Sequence, residues 1–126
     1  MNVRCLIVDD NPGLDGTASR VLTDGGITVV AIAGTSAEAL ARARATKPEV
    51  VLVDIMLGSE SGLDLARQLA DQRHADSTKV ILISTQAAED LDDLIQASPA
   101  IGFIPKSRLS ARAVYDVLAG RDISER

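Results

Sequence analysis

Val50-Val51-Leu52-Val53-Asp54 is the stretch on which the reading of this chain turns. It is a run of β-branched and aliphatic residues closed by a single carboxylate, with Pro48 before it and Gly58 after it. An unbroken apolar run of this length, without polar alternation, is a strand buried on both faces. In a parallel α/β sheet the C-terminal end of such a strand opens into the crevice where ligands bind. A lone Asp at that place is ordinarily a turn or cap residue. Asp54 has company, because three other strand-like runs also end in polar groups.

Working outward, the same grammar repeats about five times. Val3 to Val8 reads as a first buried strand ending at Asp9-Asp10, and Asn11-Pro12 then supplies an N-cap and first helical position for a helix to about Thr23. Ala18, Val21 and Leu22 would face its core side, and Gly25-Gly26 would end it. Ile27 to Ala33 is the second strand. Thr35-Ser36-Ala37-Glu38 matches a capping box and opens an Ala-rich helix that stops before Pro48.

After Asp54 comes a loop rich in Gly and Ser from Met56 to Gly62. Ser61 then caps a helix to about Arg73, with Leu65, Ala66, Leu69 and Ala70 at helical spacing. Lys79 to Ile83 is the fourth strand, ending in Ser84-Thr85. A helix over about 87–97 would bury Leu91, Leu94 and Ile95, and Ile101 to Ile104 makes a short fifth strand ending in Pro105-Lys106. Ser110 caps a last helix with Ala111, Val114, Val117 and Leu118 inside and Gly120 past its end. Strands this apolar require a parallel sheet covered by helices on both faces.

Composition sets the bounds. At 126 residues the chain has the size of one domain with a real core. Hydrophobic residues at 46% and charged residues at 25% are ordinary for a soluble globular protein. A formal charge of −5 argues against a nucleic-acid surface, and no helix-turn-helix remains after the fifth helix. No apolar run reaches the roughly 18 residues of a membrane span, and Leu6-Ile7-Val8 is too short for a signal-peptide core. The single Cys5 excludes an internal disulfide and fits a reducing cytoplasm; inside a strand it reads as a small buried hydrophobe. The repeated strand–helix unit takes up residues 1–126 as one domain, so no attached output domain is expected in this chain.

The strand ends, taken together, carry Asp9 and Asp10, Asp54, Ser84 and Thr85, and Lys106. Each has a bland reading by itself: a lead into a cap, a turn, a solvated loop cation. If the first and third strands are neighbours, the three carboxylates converge and repel, and a hard divalent cation with oxygen ligands is the natural compensation. Lys106 would add a positive point charge and Ser84 a hydroxyl donor. Such a set suits a metal and a transferring phosphoryl group with a carboxylate nucleophile between them. Asp54, alone on its strand, is the best nucleophile.

On Leu6-Ile7-Val8-Asp9-Asp10, Val53-Asp54-Ile55-Met56-Leu57 with Gly62, Ile83-Ser84 and Gly102-Phe103-Ile104-Pro105-Lys106, the chain resembles a response-regulator receiver domain of bacterial two-component signalling. The resemblance covers essentially the whole chain. It implies a flavodoxin-like doubly wound (βα)5 parallel sheet with strand order 2-1-3-4-5. The order comes with the resemblance, since a chemotaxis regulator is a standing example of such a doubly wound sheet; the residues alone do not dictate it.

The resemblance further implies that Asp54 accepts the phosphoryl group and that Asp10, Asp54 and the backbone carbonyl of Met56 ligate Mg²⁺. Asp9 would assist through water, and Lys106 would pair with the phosphoryl group. Ser84 and Phe103 would act as a switch, coupling the site to a partner surface made by the fourth helix, fifth strand and fifth helix. The implied donor is a histidine kinase or phosphotransfer protein, and a phosphorylation-linked homodimer is compatible with the family. Such a domain catalyses its own phosphorylation and dephosphorylation and turns over no separate substrate.

The chain also departs from the family. Ser107 follows Lys106 where many members have Pro, so no cis bond is carried over, and Met56 and Gln86 stand where the family tunes phosphoryl lifetime. His74, the only histidine, reads as an exposed helix-end residue; Tyr115 lies on the last helix, where docking and internal packing are both open. Two other functions stay open on residues alone. One is a receiver-like interaction domain that works without phosphorylation. The other is an aspartyl-nucleophile phosphohydrolase of the haloacid-dehalogenase type, which wants an Asp-x-Asp pattern that Asp9-Asp10-Asn11 does not supply and a cap for which there is no room.

Overall fold

The structure, a computed structural model, describes residues 3–10, 12–71, 78–85 and 93–120, the side chains of 12–16 excepted. In chain order the elements are β1 (Val3–Val8), α1 (Pro12–Asp24), β2 (Ile27–Ala33), α2 (Ser36–Thr46), β3 (Val50–Asp54), β4 (Met56–Leu57) and β5 (Glu60–Ser61). They continue with α3 (Gly62–Asp71), β6 (Lys79–Ser84), β7 (Gly102–Pro105), a 3₁₀ turn over Lys106–Arg108, and α4 (Ala111–Leu118).

Five strands form one parallel sheet in the order β2-β1-β3-β6-β7. With the small ribbon β4–β5 set aside this is the expected flavodoxin-like order. All five residues of β3 are buried, because β1 and β6 flank the strand and helices cover both its faces. Leu52 is paired with Ile7 on one side and Ile81 on the other.

Alternate residues of each strand feed two separate cores. Leu6, Val8, Val51, Val53, Leu82 and Phe103 pack with Leu65 and Leu69 of α3 and Ala39 and Ala43 of α2. Cys5, Ile7, Leu52, Ile81 and Ile83 pack on the opposite face with Leu22 of α1 and Val114 and Val117 of α4. Each such aliphatic side chain contributes about 1.5–3 kcal/mol when fully buried, so the sheet supplies much of the burial that holds the fold together. Cys5 lies in this second core, and burial pushes its thiol up to about 12, a shift that a hydrogen bond with the Leu52 backbone only partly opposes.

Helix ends follow the sequence signals with small shifts. The Thr35 side chain caps α2 by accepting from the Glu38 N–H at 3.1 Å. Glu38 reaches back to the Gly34 N–H at 2.9 Å, one residue upstream of the position a capping box prescribes. Lys47 ends the helix in the left-handed region at φ 48°, and Pro48 cannot continue it. Ser110 caps α4 by accepting from the Ala113 N–H at 3.0 Å.

Three expectations need correction. The segment from Met56 to Gly62 is not a plain loop: Met56 pairs with Ser61 and Leu57 with Glu60 as an antiparallel ribbon. Val21, Ala70 and Leu94 are exposed, since the buried stripes of their helices are narrower than helical spacing alone suggested. The fifth strand begins one residue later and includes Pro105. Ile95 of the helix expected over 87–97 is half-buried against the α2–α3 core, and residues 93–96 are helical. Asn11, His74, Gln86 and Leu91 lie outside the described residues. Among the described residues no helix is long and apolar enough to cross a membrane.

Candidate functional site

Register places the site. Val8 of β1 is level with Val53 of β3, and Asp54 is level with Ile83 of β6, which in turn is level with Ile104 of β7. The residues that follow therefore emerge on one rim: Asp9 and Asp10, Asp54, Ser84, and Lys106. Side-by-side strands achieve what no local sequence contact could, bringing groups from different strand ends, 22 to 97 positions apart, onto a common edge.

Asp54 is 5% exposed and Asp9 1%, while Asp10 faces solvent. A carboxylate oxygen from each of the three lies within 4.8 Å of the others. Lys106 Nζ sits between two of them, donating to Asp54 Oδ2 at 2.8 Å and forming an ion pair with Asp9 Oδ2, also at 2.8 Å. The other Asp54 oxygen, Oδ1, accepts from the Met56 N–H at 3.0 Å. Both oxygens of the nucleophile candidate are thus oriented by donors on its own rim.

Burial dominates the titration of Asp54. Desolvation raises its carboxyl above the ordinary carboxylate range, and the hydrogen bonds from Lys106 and Met56 recover only part of that; the neighbouring Asp9 charge adds to the rise. For Lys106 the balance runs the other way. Burial pulls the ammonium down, but the hydrogen bonds and charges of Asp54 and Asp9 outweigh it and hold the group protonated above its usual range. Poor solvation favours a carboxylate as an oxygen nucleophile, and the fixed ammonium beside it is placed to offset the charge of an incoming group.

Three formal negative charges against one positive leave two in excess, the charge of one divalent cation. The donors are hard oxygens from three carboxylates, and the Met56 backbone lies against one of them. This is the donor chemistry that Mg²⁺ takes. Space is kept for it by glycine: at Gly58, with φ +56°, a Cβ would lie 2.9 Å from Asp10 Oδ2. The residues present fit a divalent cation held by Asp10, Asp54 and the Met56 carbonyl, with Asp9 behind them.

Ser84 is buried at the end of β6, one residue beyond the partner of Asp54. Phe103 is packed into the α2–α3 core. The Lys106–Ser107 peptide is trans, as are all those described. Two features escaped the sequence reading. Asp9 is a direct partner of Lys106, a contact that needed the register of β1 against β3 and of β6 against β7. Gly62 is more than a motif residue, since a Cβ there would lie 1.9 Å from the Asp54 carbonyl oxygen. Only a pattern of glycine at fixed offsets from Asp54 could have pointed to it.

Comparison with known proteins agrees with this fold. Residues 5–114 match the family described as response regulator receiver domain. The chain is 36% identical over 125 residues to the DNA-binding transcriptional activator DevR/DosR of Mycobacterium tuberculosis, covering 96% of this chain and 57% of that protein. It is 31% identical over 116 residues to response regulator GacA of Pseudomonas viridiflava, covering 91% and 53%. The chain thus spans about half the length of the curated relatives it matches.

Among solved structures it superposes on the signal receiver domain of the response regulator NarL from Mycobacterium tuberculosis with a TM-score of 0.81 at 28% identity, covering 95% of this chain and 98% of that one. The chemotaxis response regulator CheY4 of Vibrio cholerae shares the fold at a TM-score of 0.79 and 21% identity, over 93% and 99% of the two chains. On the strength of the match over residues 5–114 and the parallel sheet that carries it, the chain belongs to the response regulator receiver domain family.

Proposed function

We infer that Asp54 is the phosphoryl acceptor of this receiver domain, taking the group from a phosphohistidine of a kinase or phosphotransfer protein or from a small acyl phosphate. The observation that carries the reading is the buried Asp54 carboxylate, held at one oxygen by Lys106 and at the other by the Met56 N–H beside two further carboxylates. An Asp54 oxygen forms the new O–P bond while the P–O bond of an acyl phosphate breaks and its carboxylate leaves, or the P–N bond of a phosphohistidine breaks. In the latter case the bond electrons stay on the imidazole nitrogen, which takes up a proton.

Lys106 shifts from Asp54 Oδ2 to an incoming phosphoryl oxygen and offsets its charge. Ser84 donates its hydroxyl to the same group. Asp10, Asp54 and the Met56 carbonyl would hold Mg²⁺, with Asp9 assisting; when bound, the ion would supply charge neutralisation at the transferring oxygens. Water attack at phosphorus reverses the modification, so the domain turns over no separate substrate.

The phosphoryl charge then biases a two-state element. Ser84 and Phe103 link the site to the surface formed by the segment around 93–96, β7 and α4, where a downstream protein docks or a second copy dimerises. This chain's own partners are proteins rather than nucleic acid, given its acidic charge. The donor chemistry and the lone thiol of Cys5 support a cytoplasmic setting.

Incubation with acetyl phosphate and Mg²⁺ followed by intact-mass measurement tests the reading. One added phosphoryl group is expected, lost in Asp54→Ala and on chelation of the metal. No mass gain, or equal gain in Asp54→Ala, overturns it.

A further inference from the structure

Glu60 lies on the two-residue strand β5, and its side chain leaves the ribbon to reach another element. Its Oε1 accepts from the Ser36 N–H at 2.9 Å, across 24 positions of sequence. Ser36 is the first residue of α2, where backbone N–H groups have no intrahelical partner and carry the positive end of the helix dipole. Helix α2 already has acceptors of its own there, from Thr35 and Glu38. The bond from Glu60 matters more to the ribbon than to the helix.

What it joins lies on both sides of the acceptor site. On the ribbon, Glu60 pairs with Leu57 and Ser61 with Met56, so fixing β5 fixes the Met56 backbone whose N–H holds Asp54 Oδ1. Gly58, at the hairpin tip, faces Asp10 Oδ2. On the helix side, Asp9 N–H donates to Ala33 O at 2.9 Å, and a Cβ built on Gly34 would lie 4.0 Å from both the Asp9 carbonyl oxygen and the Asp10 Cα. The turn before Ser36 therefore abuts the acidic pair.

We propose that Glu60 is a positioning residue: through the Ser36 N–H it braces the β4–β5 ribbon against the segment carrying Asp9 and Asp10, and so sets the Met56 backbone in place over Asp54. This rests on Asp54 as phosphoryl acceptor with Mg²⁺ beside it.

Two variants remove the same bond from opposite ends. Glu60→Ala deletes the acceptor. Ser36→Pro deletes the donor at a first helical position, where proline is favoured, and Thr35 at φ −138° and ψ 163° already has the extended backbone that precedes proline. Three quantities are measured: Mg²⁺ affinity by calorimetry without phosphodonor, the rate of phosphorylation by acetyl phosphate, and amide exchange of Met56 in the metal-free protein.

Each variant is expected to weaken Mg²⁺ binding and speed Met56 exchange by about two- to fivefold, the worth of one charged group at a helix start. The double variant should be no worse than either single one, because one bond is lost in all three. A role confined to capping α2 would lower the melting temperature and leave both readouts alone. Unchanged affinity and exchange in the single variants of a wild type that is phosphorylated overturn the brace and leave the acceptor reading intact. A wild type inert toward acetyl phosphate removes that reading, and the proposal with it.

Discussion

Replacing Gly62 by Ala tests whether the close approach of α3 to β3 is what holds Asp54 in place. A Cβ at residue 62 would lie 1.9 Å from the Asp54 carbonyl oxygen, 2.8 Å from its carbonyl carbon and 2.9 Å from the Ile55 Cα. Ordinary carbon–oxygen contacts begin near about 3.3 Å, so the start of α3 must retreat by more than about 1 Å. All three atoms are backbone, at the end of a strand bonded on both sides, and none can swing away as a side chain would.

Forced overpacking of this kind costs about 1–3 kcal/mol, here at the upper end. The Gly62 N–H bond to Ile55 O, 2.9 Å in the native chain, is stretched as well, for about a further 1 kcal/mol. The helix propensity of Ala returns no more than about 1 kcal/mol. The net loss is about 3 kcal/mol. With an unfolding entropy of about 2.1 cal/mol/K per residue over 126 residues, the melting temperature falls by about 11 °C.

Urea unfolding followed by circular dichroism measures the loss, with acetyl phosphate labelling run alongside, because the displaced carbonyl belongs to Asp54, the proposed acceptor. Gly34→Ala is the contrast: nothing stands nearer than 3.7 Å to a Cβ there, and the change should stay within about 0.5 kcal/mol. A Gly62→Ala protein within about 1 kcal/mol of wild type, or indistinguishable from Gly34→Ala, would refute the reasoning.

Three further outcomes follow from the site and the core. The Asp54 carboxyl is raised by burial, so the folded state binds the extra proton between the ordinary carboxylate range and the raised value, and stability declines as pH rises through that window. Asp54→Asn should therefore gain on wild type with rising pH in denaturation curves, and parallel pH profiles would show burial not to dominate. Cys5, pushed up to about 12, stays neutral in the fold while the unfolded thiol ionises from about 9. The native chain should lose about 1.4 kcal/mol per pH unit across that alkaline interval, a slope absent in Cys5→Ala. Saturating Mg²⁺ at about 100 times its Kd should add about 2.7 kcal/mol of stability, or about 10 °C in a thermal scan, and Asp10→Asn should abolish most of it. An equal shift in that variant would place the ion elsewhere.

Much of this was legible without coordinates, for reasons that differ by element. Val50–Asp54 and Val3–Val8 declared themselves because strands covered on both faces leave no polar alternation, and both bounds hold. Thr35 and Ser110 announced helix starts through a cap chemistry that operates within four residues. The ribbon β4–β5 did not, since two-residue strands carry no period and their pairing depends on the turn at Gly58. The bond from Glu60 to Ser36 and the bridge from Lys106 to Asp9 join distant positions and leave no trace in local pattern. Val21 and Leu94 were misjudged because helical spacing says which side faces inward but not how far the neighbours extend.

The position of Lys106 has one more consequence. Its ammonium follows directly on β7 and is tied to two anchors at once, one just past the end of β1 and one at the end of β3. An arriving anion therefore does not recruit a loose counter-charge; it diverts one already committed, and the strand end to which that charge is attached feels the change in pull. β7, one of the two edge strands of the sheet, is in this sense on a leash whose other end is held at the rim.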